Sequence, residues 1–425
     1  MEKIIRAIHI NIFGHEMSDA MRIFLKNLSW SFFGGISAAL IMFVLSVMAG
    51  KTLGPDAFGQ YNSLLSFATA LTFLFLMGND VSSVRYLADN NYEKNKGEIF
   101  TTSIVLVLVQ SFVFGLFFYI FFNFVRINFS LESDSLLLGI IFSFFLAIKS
   151  LFDGYLRAFN LIKRQSFIRI SDAILVICFF YFFYYFLDKS DYYFYAISVL
   201  FGSFFFISAS LIALRGNLRK FSFKMAKLLF GYNKFLIFGA AIGFIISLEK
   251  YFIGKYVGAY ELGVYSAYHA ASFLIISNIG AVFMNVFWPS SIMEKNNLEA
   301  ILKKINILFL KAFPFWIILN SLFILLVIFL MGESYPLNYV YIVFFSIDAF
   351  LSFAFSIFNG LLKINRIKEF VIMSYLCYSS LIILIILSRN VMYYLVGQVF
   401  IYSIFILFAN KRLGKDFVKN NEVIR

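Results

Sequence analysis

The chain has 425 residues, 61% hydrophobic, 21% aromatic and only 14% charged, with a formal net charge of +13. About a quarter of a soluble domain's residues are charged, so this composition excludes one. Apolar stretches long enough to cross a bilayer as helices recur from end to end. Runs such as LIILIILS and SLFILLVIFLM do not alternate in polarity, which excludes a transmembrane β-barrel.

In chain order, residues 1–28 come first, with Ile4, Ile5, Ile8 and Ile12 at helical spacing. That pattern predicts a cytoplasmic segment lying on the membrane surface, with His9 and His15 as ordinary interfacial residues. No short apolar core with a small-residue cleavage site is present, so no cleavable signal is expected. Spans are predicted at 29–50, 59–80, 98–122, 135–157, 167–187, 192–214, 235–254, 262–287, 305–330, 337–362, 369–388 and 391–410. They divide the chain into a first half at 29–214, a basic linker at 215–234, a second half at 235–410 and a tail at 411–425.

Charge supports that count. Of the 36 Lys and Arg residues, 28 fall on the termini and on alternate loops with their span edges (Arg157 and Arg169 among them), five on the other loops and three (Lys149, Lys250, Lys311) deeper inside spans. Basic residues resist translocation, so the 28 mark the cytoplasmic side and both termini lie there. The net positive charge then reflects this rule and anionic lipid, not nucleic-acid binding. Cys178 and Cys377 sit in apolar runs and offer neither a disulfide framework nor metal-ligand spacing.

Two stretches echo each other. GKTLGPDAFGQY at 50–61 and GKYVGAYELGVY at 254–265 match at Gly50/Gly254, Lys51/Lys255, Gly54/Gly258, Gly59/Gly263 and Tyr61/Tyr265, all at one offset of 204. Each lies in the turn after the first span of its half. Gly54 suits a helix C-cap, while Pro55 and Asp56 suit the start of the next helix, with Glu261 as the acid of the second copy. Six spans per half is an even number, so the copies enter from the same side. The expected architecture is an all-α integral membrane protein with 12 transmembrane helices, two six-helix bundles in a parallel pseudo-two-fold repeat.

The segment LGPDAFGQYNSLLSFATALTFLFLMGNDVSSVRYLA (53–88) resembles the first hairpin of Wzx-type polysaccharide flippases of the multidrug/oligosaccharidyl-lipid/polysaccharide (MOP) exporter superfamily. The shared features are Leu53-Gly54, Asp56, Gly59-Gln60-Tyr61, Gly78 and Arg85; GKYVGAYELGVYSAYHAASF, then VFWPSSIM with Pro289, is similar to the second hairpin. The resemblance implies a MATE-like fold that alternates between inward-open and outward-open forms. It also implies undecaprenyl-pyrophosphate-linked oligosaccharide (an O-antigen or capsule repeat unit) as substrate, carried from the inner to the outer leaflet of the bacterial cytoplasmic membrane. A polymerase and other polysaccharide-assembly proteins are the candidate partners, beside membrane lipid. No cofactor is expected.

A charged side chain near a helix centre costs roughly 2.5–3.5 kcal/mol on insertion scales, so each needs a reason. Lys149, Asp153 and Arg157 stack at i, i+4 and i+8 on the fourth span. Lys149 is the deepest and is a candidate contact for the diphosphate. Asp153 is either a contact on the substrate path or, with Arg157, an interface ladder. Glu249 and Lys250 close the seventh span and point about 100° apart, so they do not share one lumen wall. Tyr265, Tyr268 and His269 lie on one face of the eighth span, suited to stacking on sugars and sensing pH, or to an aromatic belt. Asp348 sits near the middle of the tenth span, as a structural hydrogen-bond acceptor or as a lumen contact. Asp348 and Glu249 are the ion-coupling candidates. Arg85, closing the second span, would meet the diphosphate as it arrives or anchor the helix.

Two other functions compete. An ion-coupled MATE-like drug exporter calls for an acidic lumen, whereas the deep charges here balance. A membrane glycosyltransferase or O-antigen polymerase calls for a large outer loop, whereas the longest, 123–134, is short and carries only Glu132 and Asp134. Neither a catalytic set nor a phosphate-cradling loop occurs, so no enzyme is expected.

Overall fold

The computed structural model describes residues 19–129, 132–188, 191–274, 276, 298–365 and 367–423. Every regular element among them is a helix, and ten helices are long and apolar enough to cross a membrane. The helices are α1 (Asp19–Leu76), α2 (Asn79–Ala88), α3 (Lys96–Ile120), α4 (Phe122–Phe129), α5 (Ser133–Ala158), α6 (Ile162–Tyr181) and α7 (Tyr192–Leu214). After them come α8 (Phe223–Ser247), α9 (Glu249–Tyr256), α10 (259–274), α11 (Leu298–Met331), α12 (Tyr339–Asn365), α13 (Ile367–Ser388) and α14 (Val391–Val423).

Three boundaries differ from the sequence reading. The first two expected spans share α1, whose helical bonding resumes at once after a single non-helical residue, Gly54. The basic stretch 215–234 is a linker only as far as Ser222. There the Ser222 hydroxyl caps α8, and residues 223–234 are helical. The seventh expected span breaks at Leu248, between α8 and α9. Residues 1–18, the motif VFWPSSIM and the rest of the eighth span beyond Ile276 lie outside the described residues.

Short polar caps set the remaining helix starts. The Asp191 carboxylate accepts from the Tyr193 N–H, and Asn338 and Asn390 do the same for α12 and α14. The buried apolar residues form clusters that keep largely to one half of the chain. One pair of clusters takes residues 42–252 with Ile382, the others residues 252–413 with Phe43 and Val47. Large apolar side chains such as Phe112, Phe186 and Phe329 cover the outside, as a lipid-facing surface requires.

The two echoes meet. Gly54 has φ 73° and Gly258 φ 130°, values that a side chain would strain, so glycine is what lets each chain turn. Gly59 lies so close to the Ala259 backbone that a Cβ would overlap its carbonyl oxygen. Gly263 lies equally close to the Pro55 carbonyl oxygen. Pro55 and Ala259 are themselves related by the offset of 204. The contacts are therefore reciprocal: each copy's glycine fits against the other copy's helix start. Nearby, the Tyr335 hydroxyl donates to the Gly50 carbonyl at 3.0 Å. This is the hairpin end of the molecule. At the opposite, basic end, Lys94, Lys96, Asn160, Asn217, Arg219 and Lys220 line a cleft of about 730 Å³.

Candidate functional site

The densest set of buried ionisable groups lies in the second half, where α9, α10, α12 and α14 converge. Tyr265 is fully buried, and its hydroxyl donates to Glu249 Oε1. Its ring meets Phe345 at 5.2 Å, Tyr394 at 6.1 Å and His269 at 5.7 Å. Asp348 is 0% exposed, and neither carboxylate oxygen has a hydrogen-bond partner among the described residues. Glu249 acts electrostatically on Asp348, and Lys250 on His269. Glu249, Lys250 and His269 are partly buried.

Tyr268, three residues further along the same helix, is placed otherwise. Its hydroxyl donates to the Pro336 carbonyl at 2.7 Å and accepts from the Asn338 N–H at 2.9 Å. It is fully buried and ties down the loop ahead of α12. Tyr265 and Tyr268 thus offer no open ring face to a sugar, and neither lies in an aromatic belt. The bulky neighbours of α10 hold both in the core.

The sequence reading missed Asn320 on α11. Its amide is fully buried, with neither atom bonded among the described residues. Beside it, the hydroxyls of Ser321 on α11 and Ser346 on α12 meet at 3.1 Å, and the Trp316 Nε1–H donates to the Ser346 carbonyl at 3.0 Å. A lone Asn inside FWIILNSLFILL was the available signal.

In the first half, the stack on α5 is resolved into two inter-helix pairs. Lys149 Nζ lies 2.5 Å from Asp172 Oδ2 on α6. Asp153 takes a bidentate bond from Arg169 at 2.8 and 2.6 Å and a further bond from Gln165 at 2.9 Å. Arg157 is a more distant partner of Asp153, at 3.6 Å. The expected same-helix ladder is therefore a minor contact, because rigid Arg169 presents a better-matched fork from the facing helix. Lys149 is held by a carboxylate and by the face of Phe206, 5.4 Å away. Asp172 and Arg169, three apart on α6, face Lys149 and Asp153, four apart on antiparallel α5; that spacing was the missed signal.

Lys149→Ala should lower thermal stability, because it strands Asp172, whose side chain is 10% exposed. Breaking a buried pair on one side costs about 3–5 kcal/mol, less where one partner reaches water, as Lys149 does. The double variant K149A/D172A should recover most of the loss. Equal melting temperatures for wild type and K149A would show the pair to be inert.

Arg85 is exposed at the basic end, its guanidinium 4.4 Å from the centre of the Tyr232 ring on α8. Behind it, the Asn79 amide donates to Gln110 at 2.8 Å and meets the Asn233 amide at 2.8 Å. These contacts fasten α8, though it belongs to the second half in sequence, to α2 and α3. Among the described residues no group of His, Cys, Asp and Glu side chains is arranged to hold a metal ion.

The fold is that of multidrug and toxic-compound extrusion transporters of the MOP superfamily. An inward-facing multidrug resistance MATE transporter matches with a TM-score of 0.65 at 12% identity, over 91% of this chain and 95% of its own. An outward-facing form matches with a TM-score of 0.59 at 13% identity, over 93% and 96%. By sequence, the chain belongs to the polysaccharide biosynthesis protein family, which it matches over residues 24–293. No curated protein matches it significantly. It is a multi-pass membrane protein.

Proposed function

We propose that the chain is a flippase that carries undecaprenyl-pyrophosphate-linked oligosaccharide from the inner to the outer leaflet of the bacterial cytoplasmic membrane. The family match over residues 24–293 carries this reading. On this reading the chain crosses the membrane twelve times, in two six-helix bundles with both termini in the cytoplasm. The one-sided Lys and Arg distribution supports the orientation. Core clusters that keep largely to one half of the chain support the two bundles.

The hairpin end then faces outward and is shut by the reciprocal glycine contacts, while the basic end faces the cytoplasm. Arg85 and the cleft around Arg219 offer cations to a diphosphate arriving from the inner leaflet. Asp348 and Glu249 are the coupling groups. A carboxylate buried without donors does not persist as a bare anion; it takes a proton or a small cation. Loading and unloading that site gives the cycle a driving force.

The test is a deletion strain. Complete lipid-linked units should accumulate on the cytoplasmic leaflet and be released when the gene is restored. Single units on the outer leaflet would indicate a polymerase. No accumulation would favour the ion-coupled drug exporter, a reading that the MATE-like fold and the Asp348–Glu249 pair also suit.

A further inference from the structure

The break between α8 and α9 has a foreign hydroxyl in it. In a continuous helix the Tyr251 N–H would donate to the Ser247 carbonyl, four residues back. Here Ser66, from the second arm of α1, fills that rung. Its hydroxyl donates to the Ser247 carbonyl and accepts from the Tyr251 N–H at 3.0 Å. Insertion of a side chain into the ladder is a recognised cause of a helix kink. The residues spanned by the opened rung include Lys250 and Glu249, and Glu249 accepts from Tyr265 in the buried carboxylate cluster.

Ser66 also belongs to the contact that shuts the hairpin end. Pro55, Gly59, Ser63 and Ser66 fall at helical spacing on α1, and the first three meet Gly263, Ala259 and Gly254 of the second copy. The Phe67 ring, next in sequence, meets the Tyr251 ring at 6.1 Å. A single face of α1 therefore carries both the closing contacts and the wedge.

The repeat makes the wedge stand out. At the offset of 204 the counterpart of Ser66 is Ala270, which has no hydroxyl. The counterparts of Ser247 and Tyr251 are Phe43 and Val47, inside an unbroken stretch of α1, and those of Glu249 and Lys250 are Leu45 and Ser46. The broken rung and the charged pair occur together in one copy, and neither occurs in the other. Symmetric packing alone explains neither.

We propose that Ser66 is a positioning residue that couples closure of the hairpin end to the geometry of Glu249. With that end shut, Ser66 holds the rung open and Glu249 is presented to Tyr265 and Asp348. When the halves part there, Ser66 withdraws and the Ser247 carbonyl pairs with the Tyr251 N–H. The helix then becomes continuous, and Glu249 and Lys250 turn about its axis. Coupling of this kind is reciprocal, so the occupant of the carboxylate cluster biases the hairpin end as much as the end biases the cluster. The proposal rests on the alternating-access reading but not on the identity of the substrate.

The test is a double-variant cycle on the full-length protein in lipid nanodiscs, read as a distance and not as transport. Spin labels at Asp134→Cys and Tyr393→Cys, both exposed positions of opposite halves, report the open and closed populations by pulsed dipolar spectroscopy. Cys178 and Cys377 are first replaced. The open-to-closed ratio is measured for the parent, S66A, E249Q and S66A/E249Q. The expected result is a shift in each single variant and a non-additive double, with a coupling factor of about five-fold or more. Ser66→Thr, which keeps the hydroxyl, should behave as the parent does. Additive shifts, or S66A and S66T acting alike, would overturn the proposal. A failed export assay with an intact cycle would instead discard the substrate and leave the coupling standing.

Discussion

Gly263→Val should yield a protein that inserts in the membrane but no longer shuts its hairpin end, with export down roughly five-fold or more. The Cβ would overlap the Pro55 carbonyl oxygen, a backbone atom that cannot rotate away as a side chain could. Overpacking of this sort costs about 1–3 kcal/mol, and the cost falls on the closed form alone. A penalty of that size shifts a two-state equilibrium by roughly 5- to 150-fold. The reciprocal variant, Gly59→Val, should have nearly the same effect, because it meets the Ala259 carbonyl in the equivalent place. Dipolar distances between Asp134→Cys and Tyr393→Cys should lengthen in both. Wild-type distances and wild-type export in both variants would remove the glycine contact from the cycle.

Asp348→Asn should abolish the dependence of transport on an imposed proton or sodium gradient and cut transport on the order of ten-fold. Asparagine keeps the shape but carries no charge to bind a proton or cation, and it brings its own donors to a place where the carboxylate finds none among the described residues. Asp348→Glu should be milder, because the charge survives on a longer stem. The measurement is gradient-driven transport in sealed vesicles, with each ion gradient collapsed in turn. Full, gradient-independent transport by the D348N protein would discard both this residue and this source of energy.

The helical membrane class and the position of the repeat were legible because both are written in local pattern. Apolar run length gives helices, and five identities at one offset locate the hairpins. Asp348 was also legible, since one acid in a long apolar run stands out. The contacts that shape the site were not. Ser66 reaches Ser247 across 181 positions of sequence, and nothing local separates it from Ser63 or from other serines on membrane helices. Asp172 and Arg169 sit in a span whose polarity looked like a cytoplasmic flank, so their pairing with α5 was invisible until the helices were side by side. Tyr265 and Tyr268 show the limit of face assignment. They fall on one face by helical spacing, yet one serves the carboxylates and the other the loop before α12, because different helices pack on either edge of that face.

The Trp316 indole gives the molecule an optical readout of its own. The chain has only three tryptophans among 88 aromatic side chains, and phenylalanine contributes almost nothing to near-ultraviolet emission. Trp316 is 7% exposed and hydrogen-bonded to the Ser346 carbonyl, on the same helix as Asp348 and two residues away. Trp30 lies far along the sequence, with its ring 5.6 Å from Phe167 and the Lys163 ammonium 5.2 Å from its centre. The two described tryptophans therefore sit in unlike surroundings, one beside a cation and one in the apolar interior. With Trp30 and Trp288 replaced by phenylalanine, movement of α12 against α11 can be followed in the unlabelled protein by the colour and intensity of the Trp316 emission.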